Sequence, residues 1–304
     1  MNKQIVDKSV VRKGKLVQQK ERLRLIDGFL VFTLVEINIY GACNRSCRFC
    51  PVSDPTFYTN KHEGITVDLY TKIMTDLSRI NYDGTILFSA FSEPFLNKDL
   101  SELVRITKNI LPSSHLEIVS NGDIIKKRPN KLVELFKKGL DAVSISIYDS
   151  HIEFNEFAEL RTRLNLSNEQ LILRRRYFEE NNVDFGMFIS NRTGLVDSNE
   201  YRTKKEDKIT ELPLTRACFY PFYQMLVDYN GDMIICPHDW GKKYIIGNLA
   251  KENIWDLWTS RKYETARKSL SEKNRNFQPC NTCDVYGDIF GSANYEMWKV
   301  GKGR

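Results

Sequence analysis

The sequence has no long apolar run and no segment that would direct it out of the cell. No stretch reaches the roughly 18 uninterrupted apolar residues that a membrane-spanning helix requires. The N-terminal segment MNKQIVDKSVVRKGKLVQQK lacks the apolar core of a secretory signal. We therefore expect a cytoplasmic protein without a membrane partner.

A concentration of charge of one sign is also missing. The 45 Lys and Arg residues and 39 Asp and Glu residues give a net charge of +6 that is not gathered in one run. Such an excess can attract an anionic small molecule, but it falls short of the basic footprint of nucleic-acid binding. We expect no nucleic-acid partner. The 304 residues contain no internal repeat and suffice for one large domain and a smaller one.

Cysteine occurs in an odd number, which excludes complete intramolecular disulfide pairing. There are seven, and a reducing cytoplasm keeps thiols free for metals or catalysis. Three of them, Cys43, Cys47 and Cys50, form a C-x3-C-x2-C pattern and are called the first cysteine group. The other four are called the second cysteine group: Cys218, Cys236, Cys280 and Cys283.

The division into three and four cysteines predicts two different metal centres. A closed zinc site or a cubane iron–sulfur cluster takes four protein ligands. Three ligands leave one metal position open to an exogenous ligand, as in catalytic zinc sites. The first group is therefore predicted to form an open centre, and the second a closed one. Zinc stays an alternative for the second group, because CNTC (280–283) is also typical of half a zinc knuckle.

Apolar, β-branched segments alternate with amphipathic ones, which is the pattern of βα units around a parallel sheet. The predicted strands are LVEINIY (34–40), TILFSAF (85–91), LEIVSN (116–121), AVSISIY (142–148) and VDFGMFIS (183–190). The predicted helices are 67–80, 98–111, 130–139 and 167–182, the last with the arginine run 174–176 on a solvated face. The pattern predicts an α/β fold, either a doubly wound sheet or a full or partial (β/α) barrel.

The character of the sequence changes after about residue 196. The polar segment 197–215 is typical of a linker or long loop. FYQMLVDYNGDMIICP (222–237) predicts a hairpin with Asn230 and Gly231 at positive φ in its turn. We predict an N-terminal extension (1–32), a first domain (33–211) and a second domain (212–304).

The first cysteine group, with the aromatic Phe49 before its last cysteine, resembles the signature of the radical S-adenosylmethionine (SAM) enzymes. FSAFSEPFLNKDL (88–100) is similar to the family's GGEP segment, whose acidic residue, here Glu93, receives the methionine amino group of SAM. Phe91 and Ser92 stand where two glycines are usual, which puts the backbone contacts of that loop in doubt.

Further segments extend the resemblance along the chain. VSNGDII (119–125), which contains Asn121, is similar to the family's TNG element. In VSISIYD (143–149), the resemblance implies that Ser144 or Ser146 reaches the ribose or carboxylate of SAM. SNRTG (190–194) is similar to an NRxG element, and Arg192 is then a candidate partner for the SAM carboxylate. An ordinary ion pair or helix cap is the alternative for Glu93 and Arg192.

From Cys218 to Cys283 the chain resembles the SPASM and twitch extensions of this superfamily. A full SPASM domain has seven cysteines for two auxiliary clusters, whereas four are present here, so the shorter twitch form fits. The resemblance implies a partial (β/α)6 TIM-like barrel followed by a small domain with a β-hairpin and helix. It also implies SAM and two [4Fe-4S] clusters, with the first cysteine group on an open cluster and the second on an auxiliary one.

The implied reaction is reductive cleavage of SAM to a 5′-deoxyadenosyl radical, which takes a hydrogen atom from the substrate. An electron donor such as flavodoxin or ferredoxin is then a partner. The 32 residues ahead of the first strand are too few for a peptide-recognition domain. Because the twitch form resembles aminocyclitol dehydrogenases, we predict oxidation or epimerisation at a carbinol of a sugar or aminocyclitol. The basic surplus is compatible with a nucleotide-linked or phosphorylated substrate. A peptide-modifying maturase and a non-catalytic zinc protein are the alternatives.

Substrate-contacting residues have weaker signals. His238 and Asp239, just after Cys236, are candidates for accepting a proton or contacting the substrate. They are equally compatible with supporting the cluster. Tyr148 and Asp149, at the end of the fourth predicted strand, are similar candidates.

Overall fold

The computed structural model describes Leu16 and residues 20–176, 189–201 and 208–303 of the protein. A short hairpin, β1 (Leu25–Ile26) and β2 (Phe29–Leu30), precedes the main sheet. The strands of this sheet are β3 (Leu34–Ile37), β4 (Thr85–Phe88), β5 (His115–Ser120), β6 (Ala142–Ile147), β7 (Leu171–Arg175), β8 (Gln224–Val227), β9 (Asp232–Ile234) and β10 (Ile245–Asn248). Their spatial order is β10-β9-β8-β3-β4-β5-β6-β7.

The sheet is parallel from β8 to β7 and antiparallel from β8 to β10. Strand β8 pairs with β3 in register, with Gln224 opposite Leu34 and Val227 opposite Ile37. The C-terminal hairpin therefore continues the sheet of the first part of the chain. The predicted α/β fold, a partial barrel with a C-terminal hairpin, is confirmed, and the domain boundary at residue 212 stays a prediction.

Several helices cover the outer face of the sheet, and nine α-helices occur among the described residues from position 20 onwards. They are α1 (Val67–Arg79), α2 (Leu100–Ile110), α3 (Asp123–Lys127), α4 (Asn130–Lys137), α5 (His151–Arg163), α6 (Tyr220–Tyr223), α7 (Ile254–Thr259), α8 (Arg261–Ser271) and α9 (Ser292–Gly301). Helix α1 begins after Thr66, whose side chain accepts a hydrogen bond from the backbone N–H of Leu69. Among the described residues, no helix is long and apolar enough to cross a membrane.

The two faces of the parallel strands differ, because successive side chains point to opposite sides of a sheet. The outer face supplies the main hydrophobic core under the helices, with Val35, Ile37, Ile86, Phe88, Ile118, Val143 and Ile145. The inner face carries polar residues at intervening positions, all at most 3% exposed: Glu36, Glu117, Ser144, Ser146 and Gln224. The barrel therefore has a buried polar inner face.

The predicted helix over 167–182 is wrong where the structure describes it as β7. Residues 171–175 pair with β6, from Leu171 opposite Val143 to Arg175 opposite Ile147. A short run such as LIL fits either a helix or a strand. The strand is favoured here because the unpaired edge of β6 offers backbone hydrogen bonds to this run. The helix between β6 and β7 is α5, which was not predicted. Of the predicted strand 183–190, residues 183–188 lie outside the described residues.

The arginine run 174–176 does not form a solvated helix face. Arg174 donates a hydrogen bond to Ser146 on the inner face of the sheet. The guanidinium of Arg175 lies 4.5 Å from the ring centroid of Phe154, and Arg176 is only 7% exposed. The period-two geometry of a strand separates neighbouring arginines, so that two of the three turn inward.

The predicted β8–β9 hairpin is present, but Asn230 does not have a positive φ. Gly231 does, with φ = +89°. The N–H of Gly231 donates to the carbonyl of Asp228, and the N–H of Asp228 donates to the carbonyl of Asp232, both at 2.9 Å. Only one left-handed residue is needed, because three residues rather than two connect positions 228 and 232.

Two isoleucines test the assignment of the core. Ile145 in β6 is fully buried and Ile152 at the start of α5 is 61% exposed. We expect Ile145→Ala to lower the free energy of unfolding by about 2–5 kcal/mol, because it leaves a cavity. The matched control Ile152→Ala should change it by no more than about 0.5 kcal/mol. Urea denaturation followed by circular dichroism measures both values, and equal losses would contradict the assignment.

Candidate active site

The loops at the carboxyl ends of the parallel strands meet at one edge of the sheet, where ligands bind in α/β folds. The first cysteine group follows β3 and Glu93 follows β4. Asn121 follows β5, and Tyr148 follows β6. The topology therefore brings together residues that are up to about a hundred positions apart in the sequence.

The first cysteine group lies in a partly buried loop. The N–H of Cys50 donates to the carbonyl of Cys47 at 2.8 Å, and Asn121 Nδ2 lies 3.8 Å from Cys43 Sγ. Burial raises the pKa of Cys43 and of Cys47 to about 11, and it also raises the pKa of Cys50. Thiols bind metals as thiolates, so a bound metal would have to offset the effect of burial on these three thiols.

Arg45 anchors this loop to the barrel. Its guanidinium donates two hydrogen bonds to Asp123, at 2.8 Å from Nε and 2.5 Å from Nη2. It also reaches the carboxylate of Asp149 at 3.1 Å, while Asn44 donates to Asp123 at 2.8 Å. The carboxylate of Asp149, a candidate substrate contact, thus lies against the cysteine loop.

Glu93 is buried with its carboxylate among hydrogen-bond donors. Oε1 accepts from Ser120 Oγ at 2.8 Å and from the N–H of Phe95 at 3.1 Å, while Oε2 accepts from the N–H of Asn121 at 2.8 Å. Burial outweighs these donors and raises the pKa of Glu93 to about 7. Binding of the SAM amino group by Glu93 stays a prediction.

The two residues at the usual glycine positions have packing and hydrogen-bonding partners of their own. Phe91 packs edge-on against Trp240, with ring centroids 4.8 Å apart. Ser92 Oγ donates to Asn38 Oδ1 at 2.7 Å, and Asn38 Nδ2 donates to Asp228 Oδ1 at 2.7 Å. Because Asn38 follows β3 and Asp228 follows β8, this buried chain of hydrogen bonds links the two parts of the protein.

The inner face of the sheet carries Ser144 and Ser146, which the sequence analysis named, and also Glu36 and Gln224, which it missed. Gln224 donates to Glu36 across β8 and β3, and Ser146 accepts from Arg174. Ser144 Oγ is buried and has no hydrogen-bond partner among the described residues. The available signal was a polar residue at alternate positions of otherwise apolar strands, as in LVEI and LEIVS.

The second cysteine group is partly buried, with Cys280 and Cys283 buried and Cys218 and Cys236 at intermediate exposure. Burial raises the pKa of all four thiols, to about 12 for Cys283, and Cys236 is raised further by the charges of the other three. Cys218, Cys236 and Cys280 pack on the same hydrophobic core cluster. A Cβ atom on Gly287 would come within 2.2 Å of Cys218 Sγ, so only glycine fits at that position.

A buried cation lies beside the second group. Arg275, 2% exposed, donates to the carbonyls of Arg216 and Ala217 and to that of Val285, at 2.9–3.0 Å. These carbonyls lie on the segments that carry Cys218 and Cys283. The guanidinium partly offsets the effect of burial on the pKa of three of the four cysteines. It therefore favours a negatively charged centre.

The segment 189–201 lies between the two cysteine groups. On one side Tyr201 packs edge-on against Phe49, with ring centroids 6.2 Å apart, and Phe49 also contacts Tyr148 at 5.1 Å. On the other side Ser190 Oγ lies 3.0 Å from Nδ1 of His238. One segment thus touches the neighbourhood of both groups.

His238, Asp239 and Arg192 have different surroundings. His238 Nε2 lies 3.2 Å from the Tyr220 hydroxyl, so both ring nitrogens have partners. Asp239 is fully buried and accepts from the N–H groups of residues 243 and 244 at 2.9 Å, which closes a turn. The Arg192 guanidinium lies 5.9 Å from the Trp240 ring centroid, and its buried Nε has no partner among the described residues.

The residues present fit two iron–sulfur centres in their donor chemistry. Among the described residues, no three His, Cys, Asp or Glu side chains are arranged to hold a single metal ion. Thiolates are the ligands of iron–sulfur clusters, and four are complete whereas three leave a position open. Arg192 opposes the effect of burial on the pKa of the Cys50 thiol, and its buried Nε has no partner among the described residues. Binding of the SAM carboxylate by Arg192 stays a prediction.

Comparisons with known proteins agree with this arrangement. Residues 37–170 match the radical SAM superfamily, and residues 218–284 match SPASM, an iron-sulfur cluster-binding domain. A curated relative is the S-adenosyl-L-methionine-dependent 2-deoxy-scyllo-inosamine dehydrogenase of Niallia circulans, 26% identical over 259 residues, which cover 84% of this chain and 93% of that protein.

Solved structures show the same fold. BtrN in complex with AdoMet and 2-DOIA superposes with a TM-score of 0.67 at 24% identity, over 84% of this chain and 94% of that one. Native anSMEcpe with bound AdoMet gives a TM-score of 0.52 at 11% identity, over 90% and 97% of the two chains. The predicted superfamily and its SPASM-type extension are confirmed.

Arg275 is expected to set the reduction potential of the SPASM cluster. The charge and hydrogen bonds around a cluster determine its potential, and a cation favours the reduced, more negative form. Arg275→Gln should therefore lower the potential, while Arg275→Lys, which keeps the charge, should stay nearer the wild type. Anaerobic redox titration followed by electron paramagnetic resonance measures the shift. The exposed Arg261→Gln is the control, and an unchanged potential in Arg275→Gln would refute this role.

Proposed function

Because the chain belongs to the radical SAM superfamily and carries a SPASM-type domain, we propose that it is an oxidoreductase that dehydrogenates or epimerises a carbinol of a sugar or aminocyclitol. The main observation is the pair of cysteine groups, three and four, on either side of the segment 189–201. The similar dehydrogenase of Niallia circulans is named for an aminocyclitol, 2-deoxy-scyllo-inosamine.

In this proposal each group of residues has a separate task. When bound, an open [4Fe-4S] cluster with SAM supplies a 5′-deoxyadenosyl radical that takes a hydrogen atom, and an auxiliary [4Fe-4S] cluster supplies an electron acceptor. The carboxylate of Glu93 accepts a hydrogen bond from the SAM amino group, and Arg192 binds the SAM carboxylate. Arg45 keeps the cysteine loop fixed through its hydrogen bonds to Asp123. A flavodoxin or ferredoxin would be the electron donor.

The polar inner face of the sheet suits a substrate with many hydroxyl groups. Glu36, Glu117, Ser144 and Arg174 are donors and acceptors in an otherwise apolar sheet, and such convergent polar groups orient a ligand. These groups lie inside the strands, and the first cysteine group follows the carboxyl end of β3. The basic surplus of the chain is compatible with a phosphorylated or nucleotide-linked form.

His238 is suited to take the proton that a dehydrogenation releases. Converting a carbinol to a carbonyl removes one hydrogen atom, one electron and one proton. His238 lies two residues after Cys236, and its nitrogens are within 3.0–3.2 Å of Ser190 and Tyr220. An imidazole accepts a proton near neutral pH, and these hydroxyls orient it. The proton and the electron lost by the substrate would therefore both pass to the region of the second cysteine group.

Iron counting with cysteine variants tests the proposed function. After anaerobic reconstitution, the wild type should hold about eight irons per chain and release 5′-deoxyadenosine with dithionite and SAM. Cys47→Ala should lose SAM cleavage but keep about four irons at the second group. Cys283→Ala should lose substrate turnover more than SAM cleavage. The control is Ser46→Ala, an exposed position of the same loop.

Two results would contradict the proposal. Retained SAM cleavage in Cys47→Ala would exclude the first group as the open cluster. A colourless protein with zinc at the second group and no 5′-deoxyadenosine would support the non-catalytic alternative.

The affinity for SAM should depend on pH through Glu93. Its pKa is raised to about 7, so the carboxyl group is mostly protonated below this value and cannot pair with the SAM ammonium. We expect the Kd for SAM to rise about tenfold from pH 8 to pH 6, because the ionised fraction falls by this factor. Glu93→Gln should bind weakly at both values. Equilibrium binding measures this, and the exposed Glu272→Gln should retain the wild-type dependence.

A further inference from the structure

The segment that carries Arg192 has an unusual backbone. Arg192, Thr193 and Gly194 all have positive φ, at +49°, +58° and +92°. For residues other than glycine this conformation costs free energy, and it persists only when surrounding contacts hold it. The contacts that hold this turn therefore determine where Arg192 lies.

One buried carboxylate holds both ends of the turn. Asp284, 3% exposed, accepts a hydrogen bond from the N–H of Asn191 at 2.8 Å through Oδ1. Its Oδ2 accepts from Ser198 Oγ at 2.6 Å. Hydrogen bonds to a buried charged acceptor are among the stronger ones in proteins. Asp284 thus fixes the residues immediately before and shortly after the strained turn.

Thr282 adds two further contacts with the same turn. Its Oγ1 donates to the carbonyl of Thr193 at 2.8 Å, and its own carbonyl accepts from Asn191 Nδ2 at 2.7 Å. Thr282 and Asp284 are the two neighbours of Cys283. The contacts that hold the turn therefore belong to the chain segment of the second cysteine group.

The other side of the turn faces the first cysteine group. The Arg192 guanidinium lies over Trp240, and Trp240 packs in one cluster with Cys43, Cys50 and Leu195. Apolar residues of the same segment, Ile189 and Val196 among them, pack in one cluster with Phe49. The segment is therefore held by the second group and directs its cation towards the first.

We propose that Asp284 is a positioning residue through which the segment around Cys283 sets the position of Arg192 and hence the affinity for the SAM carboxylate. The inference rests on the proposed function in taking SAM as the ligand. Under this proposal, Arg192 lies in its SAM-binding position only when the segment around Cys283 is correctly folded. The apparent affinity for a ligand falls in proportion to the fraction of molecules whose binding residues are in place.

The test combines two variants with two ligands. Asp284→Asn keeps the shape of the side chain but loses one acceptor, and Ser198→Ala removes a single hydrogen bond on the turn, away from the cysteines. The control is Asp256→Asn, an exposed acidic position in α7. The ligands are SAM and decarboxylated SAM, which lacks the carboxylate. Iron content and hydrogen–deuterium exchange of residues 190–198 are measured on each reconstituted protein.

We expect faster exchange at 190–198 in both variants and unchanged iron content. The Kd for SAM should rise about tenfold in Asp284→Asn if about one molecule in ten keeps the turn in place, and less in Ser198→Ala. Decarboxylated SAM should bind all variants alike, which a general structural defect would not produce.

Several outcomes overturn the inference. An unchanged Kd for SAM despite faster exchange would show that the turn does not influence SAM binding. An equal loss for decarboxylated SAM would show that the carboxylate is not involved. If the wild type binds no SAM at all, the proposed function fails, and unchanged exchange in Asp284→Asn still decides against the role of Asp284.

Discussion

The parallel pairing of β8 with β3 is the interaction on which the arrangement of the site depends. It joins residues 190 positions apart in the sequence, and it makes the C-terminal hairpin an extension of the barrel sheet. Asn38 and Asp228, at the ends of these two strands, add a buried hydrogen bond of 2.7 Å, and Lys242 neutralises the aspartate. A buried carboxylate needs such partners, so this junction favours one relative position of the two cysteine groups.

The segment 189–201 contacts the surroundings of both cysteine groups. It packs against Phe49 beside the first group, and its polar atoms bind His238 and Asp284 beside the second. A radical enzyme must hold its reacting centres at constant separation and keep water out. A connection made of buried hydrogen bonds and aromatic contacts meets this demand better than an exposed loop would, because such contacts allow few alternative packings.

Sequence patterns predicted the site where the signal is local. The spacing of Cys43, Cys47 and Cys50 and the strands that precede Glu93 and Asn121 are readable within short windows. Helix α5 was missed because HIEFNEFAELRTR has few apolar residues at helical spacing. Strand β7 was assigned to a helix because LILRR fits both periods, and the free edge of β6 selects the strand. For the same reason Arg174 and Arg176 were assigned to solvent, although in a strand they turn towards the inner face.

The sequence by itself determined the membership of the superfamily and most of the alternation of strands and helices, and it predicted the two ligand sets, because these depend on residue types at fixed short spacings. Only the tertiary structure placed Arg275 beside the second group and Asp284 against the turn that carries Arg192. Asp284 and Asn191 are 93 positions apart, and Arg275 binds carbonyls 58 and 59 positions away. Such contacts leave no periodic signal, since chain folding alone brings the partners together.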